Sequence, residues 1–309
     1  MTGTGLASRA LARIFRADVP PWLEEPTRLG RILKGVALIV ICALVIYPFL
    51  IVLGTSLAPR QEIIDGGGFV LVPHHPTLEA YRVVLSGGVV ARSAAVSIGI
   101  TLVGTAASLA CTVMLAYGLS RPNTTGTRPI LLLMLGTFLF APGIIPNYLV
   151  VKQLGLLDSY AALVVPVLLN AFNVVVVRAF FQAIPDELID AARIDGAGEV
   201  RILTRIVLPL SRAVLAVVAL YYAVSYWNTF FNAILYLSDS SRWPLQVILR
   251  KYVIQGDSMT ATALGVQTLP PSQSLQMAVL VIAIVPIAAV YPFLQKYFVR
   301  GVLTGAVKG

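Results

Sequence analysis

The chain has 309 residues, of which 58% are hydrophobic and only 12% charged, and it carries a formal charge of +9. Soluble domains average about 25% charged residues, so this balance, with a mean hydropathy of +0.85, excludes an ordinary water-soluble fold. A basic excess points to nucleic acid in a soluble protein, but in a membrane chain it follows from Lys and Arg retained on the cytoplasmic side, so the placement of the charges decides.

Residues 1–34 hold Pro20, Pro21, Pro26 and six basic residues and are expected to form a cytoplasmic N-terminal tail. The first apolar run, residues 35–57, is too long for a signal-peptide core and is read as a retained membrane helix. Further runs follow at 93–119, 129–151, 159–177, 213–237 and 275–294. At ~1.5 Å per residue each is long enough to cross a ~30 Å hydrocarbon core. The runs are continuously apolar rather than alternating, which excludes a membrane β-barrel. The expected fold is all-α and integral to the membrane: six transmembrane helices over residues 35–297, with a C-terminal tail at 298–309. Cys42 and Cys111 sit inside apolar runs and read as small hydrophobes, and His74-His75 has no third ligand nearby, so no metal site is expected.

Six crossings place both termini on one side. Sixteen of the 23 basic residues then share that side, in the N-terminal tail, the second-to-third loop, the fourth-to-fifth loop and the C-terminal tail; seven lie opposite. The positive-inside rule makes the side with sixteen cytoplasmic, in a cytoplasmic (cell) membrane, and accounts for the basic charge without nucleic acid.

None of the six runs contains Asp, Glu, Lys, Arg or His. Proton-coupled carriers and intramembrane hydrolases need such groups at membrane depth. The dipeptide Gly-Lys of a phosphate-binding P-loop does not occur either, so an actively transporting chain of this kind draws its energy from another polypeptide.

The loop between the fourth and fifth runs, residues 182–211, is distinctive. Pro185 followed by Asp186 and Glu187 opens a helix and Gly196 closes it. Leu188, Ala191, Ala192 and Asp195 fall on one side of that helix, and Asp190 and Arg193 are spaced to pair beside them. Alone, the pattern fits two readings: an amphipathic helix lying on the membrane, or a short helix docking on another protein. The spacing resembles the signature loop of permease subunits of binding-protein-dependent ABC importers, which reads Glu-Ala-Ala, three residues, Gly, nine residues, Ile, one residue, Leu-Pro. Here it is met by Asp190-Ala191-Ala192, Gly196, Ile206 and Leu208-Pro209, with Asp190 in place of the usual Glu. The segment from Tyr226 to Ala233 is similar to the carbohydrate branch of that family, the maltose-permease-like and polysaccharide importers.

The resemblance implies a type I ABC importer permease fold with a short cytoplasmic coupling helix between helices 4 and 5. It also implies a non-catalytic subunit that imports a sugar or oligosaccharide. Two ATP-binding cassette subunits would bind ATP and magnesium, a second permease would complete the pathway, and an external solute-binding protein would deliver cargo. This chain would hold no cofactor itself, and its coupling residues would be Asp190, Ala191, Ala192, Gly196, Ile206, Leu208 and Pro209. The competing reading is a secondary carrier independent of ATP.

The fifth run places Tyr221, Ser225, Asn228 and Asn232 at spacings of 4, 3 and 4, one helical stripe if the helix is continuous; Asn170 and Asn173 add amides to the fourth. Such groups avoid lipid. They suit either hydrogen bonding between helices or contact with a neutral polyol passing through the bundle.

Overall fold

The computed structural model describes residues 27–86, 88–122, 124–140, 142–251 and 272–306. Of the expected N-terminal tail only 27–34 are described, and residues 252–271 of the long segment before the last run also lie outside them. All regular structure among the described residues is helical. The helices are α1 (Arg28–Leu57), α2 (Arg60–Asp65), α3 (Glu79–Ser86), α4 (Val89–Ser120), α5 (Thr127–Leu139), α6 (Ile144–Gln153), α7 (Ala161–Val164) and α8 (Ala171–Gln182). They continue with α9 (Asp186–Ile194), α10 (Glu199–Ile202), α11 (Leu208–Leu210), α12 (Arg212–Trp227), α13 (Phe231–Tyr236), α14 (Leu245–Leu249) and α15 (Ser272–Ala306).

The chain divides into two units at Leu50 and Ile51, within α1. In the first unit, α1 presents apolar side chains such as Leu38, Ile39 and Leu44 on its surface, as a helix solvated by lipid does.

The second unit is built around α4, against which α8 and α12 pack, with α15 against α12 and α3. One face of α4 carries the buried small and hydroxyl residues Ser93, Ser97, Gly104, Ser108 and Thr112, a spacing that lets another backbone approach closely. Along α12 the buried residues Val214, Val218, Tyr222 and Tyr226 are four apart and therefore form one stripe, with Trp227 also buried at its end. The two faces meet where a Cβ added at Gly104 would lie only 2.7 Å from the Tyr226 ring. Above the α4 N-terminus, Val83, Val84, Trp227, Leu245 and Val279 form a second apolar cluster.

Three described helices are long and apolar enough to cross a membrane unbroken: α1, α4 and residues Gln273–Val290 of α15. The other three expected runs are interrupted. The third is split between α5, which ends at Leu139, and α6, which starts at Ile144; between them Pro142 supplies no amide donor and Gly143 adopts φ 85°. In the fourth, α7 passes through a single 3-10 turn at Val165–Val167, containing Pro166, into α8 with a bend of 53°. The fifth, expected as one helix over 213–237, ends at Trp227 and restarts at Phe231. There Asn228 Nδ2 donates to the Val224 carbonyl at 2.9 Å and Thr229 Oγ1 to the Ser225 carbonyl at 3.3 Å. Polar side chains thus engage the carbonyls of the last turn and favour its termination. The continuous stripe expected from Tyr221 to Asn232 is cut at this point.

Candidate functional site

The 182–211 loop folds as a clamp on the ends of α4 and α8. Pro185 is extended and starts α9, with Asp186 and Glu187 in the first turn, where carboxylates complement the helix's positive end. Ile189 is 2% exposed and anchors α9 in the main core, and Ala192 and Ala197 pack against that core beside it. The helix stops at Gly196, whose φ of +78° is the left-handed conformation that glycine adopts without strain. Gly196 N–H donates to the Arg193 carbonyl at 3.0 Å and Ala197 N–H to the Ala192 carbonyl at 2.9 Å, the paired bonds of a glycine-terminated helix. Leu188 (48% exposed), Ala191 and Ile194 (87%) face outward, followed by Val200 (77%). Ala192 therefore departs from the side assigned to it in the sequence: it faces the chain's own core and leaves Ala191 on the open face.

Asp190 pairs with Arg193 at 3.3 Å, the expected i,i+3 contact, and Arg193 reaches onward to Glu199 at 2.8 Å. Tyr117, near the end of α4, donates its hydroxyl to the Glu199 carboxylate, and Arg178 Nε donates to the Leu119 carbonyl at 2.9 Å. The Tyr117 hydroxyl, followed by the Arg193 guanidinium, holds the Glu199 carboxyl below the usual carboxylate range. Beyond α10, residues Leu203–Val207 form a π-helical turn with Val207 buried. Ile206, Leu208 and Pro209 are half-buried, and the chain bends by 84° at Ser211 into α12.

A cavity of about 570 Å3 opens between α8, α12 and the 3-10 turn. Asn170, Asn173, Tyr221 and Ser225 line it, together with Phe138, Phe172, Tyr222 and Tyr226. None of its lining side chains is charged. Asn170 Oδ1 accepts the Asn173 N–H at 3.1 Å and so caps α8, while the Asn170 N–H donates to Tyr222 Oη at 3.1 Å. Tyr222 also shares a hydrogen bond with Thr112 at 2.7 Å, and Tyr226 with Ser108 at 2.8 Å. Asn228 and Asn232 do not line this cavity, because the helix has already ended at Trp227. Amides, hydroxyls and aromatic faces in one cavity offer donors, acceptors and stacking surfaces to a hydroxyl-rich solute.

Residues 107–304 match the family described as binding-protein-dependent transport system inner membrane component. This chain belongs to that family. The permease is 44% identical over 88% of its length to the polygalacturonan/rhamnogalacturonan transport system permease protein YtcP of Bacillus subtilis, covering 96% of that protein. It is 46% identical over 86% of its length to Protein LplC of the same organism, covering 90% of it. Among solved structures, a chain of a bacterial ABC transporter involved in the import of the acidic polysaccharide alginate superposes with a TM-score of 0.82 at 31% identity, over 90% of the permease and 99% of that chain. The permease thus has the type I ABC importer permease fold and is an ABC transporter permease of the sugar and polysaccharide group.

Sequence reading missed Tyr117, Ile189 and Glu199, which fix the loop. Ile189 had a signal, since on the helical wheel it lies roughly 160° from Ala191; Tyr117 had none, being 82 residues from its partner. The Glu199 link gives a pH-dependent expectation. A carboxyl held below its unfolded value, ~4.3 for Glu, contributes stability that is present above that value and is lost as pH falls through the depressed folded one. Glu199→Gln should therefore loosen the loop at neutral pH by under about 1 kcal/mol, since the pair is half exposed. It should also reduce the acid-induced loss of protection expected of wild type. Amide hydrogen exchange of residues 186–199 in the purified permease, followed from pH 7 to pH 3, measures both.

Proposed function

We propose that this permease is one subunit of an ATP-driven importer that moves a sugar or oligosaccharide across the cytoplasmic membrane, with fragments of acidic polysaccharides as its cargo class. The observation that carries the proposal is the 182–211 loop. It presents Leu188, Ala191 and Ile194 outward on a helix held from behind by Ile189 and stopped by a left-handed Gly196, at the family's own spacing. An exposed apolar face on a rigid support suits a docking helix rather than a helix immersed in headgroups. Two partner ATPases that bind ATP and magnesium would receive it, and a second permease and an external solute-binding protein would complete the transporter. Reading α5 with α6, α7 with α8, and α12 with α13 as interrupted spans restores six crossings with both termini cytoplasmic. Interruption at membrane depth is tolerated where the backbone lines a cavity, as the α7–α8 break does here. The relatives' names supply the cargo class.

Uptake of labelled trigalacturonate by cells expressing the whole transporter should be abolished by vanadate and unaffected by a protonophore. The opposite pattern would assign a secondary carrier. The cavity's part is tested separately by Ser225→Leu, which adds bulk to a cavity-facing position without disturbing the buried α4–α12 seam. Uptake should fall about tenfold, roughly 1.4 kcal/mol, with subunit assembly intact; unchanged uptake would reassign the cavity to packing.

A further inference from the structure

A separate cavity of about 380 Å3 opens where α4 and α8 end and α5 begins. Arg121, Arg178, Thr127, Gln182 and Asp186 are among the residues that line it. In the proposed orientation this is the cytoplasmic end of α4, where its apolar run gives way to the headgroup layer. Arg121 follows the last turn of α4, and its guanidinium carbon lies 4.4 Å from the centre of the Tyr117 ring. Two of its nitrogens, Nε and Nη2, are buried and meet no acceptor among the described residues. Arg178 donates from Nε to the Leu119 carbonyl at 2.9 Å, the one hydrogen bond it makes among the described residues.

Two carboxylates are close, and neither answers these arginines. Asp186 lines the cavity from the first turn of α9 but forms no salt bridge with either one among the described residues. Glu199 is engaged by Tyr117 and Arg193, and Arg121 acts on it by charge without a hydrogen bond. A charged donor left buried without an acceptor is strongly unfavourable, so the cavity calls for an anion that this chain does not supply. Guanidinium groups pair best with an oxyanion that presents oxygens side by side, a carboxylate or a phosphate. The rim of the cavity chooses between them. Thr127 opens α5, and Ile130 and Leu133, three and six residues further on, are exposed and apolar. A phosphate in the cavity with acyl chains along α5 satisfies both the cations and this apolar surface. Basic pockets between membrane helices on the cytoplasmic side are a recurring setting for anionic headgroups.

From this juxtaposition we infer that the cavity holds the phosphate of an anionic phospholipid, with Arg121 and Arg178 on its oxygens. The inference goes beyond the importer reading and uses the proposed orientation only to name the cytoplasmic leaflet. An occupied cavity braces the junction of α4 and α8 on which the 182–211 loop is clamped, so the order of that loop depends on lipid charge.

The test uses the full-length permease purified with its partner subunits and stripped of lipid in detergent. It is titrated with phosphatidylglycerol, with phosphatidylcholine, whose phosphate is neutralised by its own choline, and with inorganic phosphate. Native mass spectrometry counts bound lipid and thermal unfolding reads stabilisation. Phosphatidylglycerol should bind about tenfold more tightly than phosphatidylcholine and raise the melting temperature. Arg121→Gln or Arg178→Gln should each weaken it about tenfold, the size expected when a charge-assisted hydrogen bond is lost. Arg121→Lys should fall between, since it keeps the charge and loses the paired donors; with Arg178→Gln it carries the comparison if Arg121→Gln does not accumulate. Arg128→Gln, at an exposed position outside the lining, should change nothing. Equal binding of the two lipids, or indifference to the Arg121 and Arg178 substitutions, would overturn the inference. Equal stabilisation by inorganic phosphate would assign a soluble phosphate and overturn the lipid. Unchanged lipid binding with loss of the co-purifying subunits would assign the arginines to a partner's carboxylates and overturn the site. Selective binding of phosphatidylglycerol in a permease whose uptake resists vanadate would sink the importer reading and leave this site standing; vanadate-sensitive uptake with indifferent lipid binding would do the reverse.

Discussion

Ala191→Arg is expected to leave the permease inserted and folded while reducing retention of the proposed ATPase partner by about a hundredfold or more and abolishing uptake. Ala191 lies on the outward face of α9 between Leu188 and Ile194, where a partner backbone approaching the small side chain meets nothing from this chain. An arginine there must either hold the partner away or be buried without a counter-charge, which costs about 3–5 kcal/mol, or two to four powers of ten in affinity at ~1.4 kcal/mol each. Gly196→Val should act in the same direction through a different cause. The added side chain would meet no atom within 4 Å, so the penalty is conformational: a β-branched residue at φ +78° carries about 1–3 kcal/mol of strain, and relief of that strain re-aims the helix. Ala192→Arg provides the contrast, because Ala192 packs inward. It should expose the loop to proteolysis in the isolated permease, which Ala191→Arg should not. Co-purification of the ATPase with wild type and the three variants, alongside limited proteolysis, resolves these outcomes; equal retention in all four would overturn the docking assignment.

The second large effect is expected at the α4–α12 seam. Gly104→Val would set its Cβ within 2.7–2.8 Å of three atoms of the Tyr226 ring, closer than any Cβ contact tolerates. The ring has no room to withdraw, since Tyr226 is buried and its hydroxyl is bonded to Ser108. Overpacking at such a site costs about 1–3 kcal/mol, and losing the interhelical hydrogen bond adds roughly 0.6–1.7. The permease should therefore lose several degrees of thermal stability in detergent or fail to accumulate. Tyr226→Phe removes only the hydrogen bond and should cost the smaller part alone. Gly99→Val, one turn away on the same helix, faces open space and should leave the melting temperature within error of wild type; a loss equal to that of Gly104→Val would mean that helix flexibility rather than the seam is responsible.

The fold of the 182–211 loop was legible from sequence because its determinants are local. A proline, two acids, an alanine pair and a glycine specify a short helix and its stop whatever surrounds them, and both the Gly196 conformation and the Asp190–Arg193 pair follow from the spacing. Which alanine points outward was not legible. A helical wheel places Ala191 and Ala192 on one broad arc, and the edge of that arc is set by Ile189 entering a core assembled from distant segments. The apolar runs were found, but not their interruptions. Pro142, Pro166 and Asn228 are each compatible with a continuous helix that neighbours could re-satisfy, and only the bundle decides whether the backbone turns aside. The hydroxyls of Tyr222 and Tyr226 tie α12 to α4 across 110 and 118 residues, a separation at which no sequence pattern is visible.

Those two ties have a consequence for the order in which the chain is built. Synthesis delivers α4 to the bilayer long before α12, so Ser108 and Thr112 must wait in hydrocarbon for partners that do not yet exist. Serine and threonine hydroxyls can meanwhile donate to the carbonyl one turn back on their own helix; a tyrosine hydroxyl, at the tip of a long ring, cannot. The permease places the self-sufficient hydroxyls on the helix that arrives first and the dependent ones on the helix that arrives second. Exchanging Thr112 with Tyr222, or Ser108 with Tyr226, would preserve the chemistry of each finished pair and still strand a phenol in lipid during assembly, so the exchanged chain should be recognised as unfinished and degraded before its seam could close.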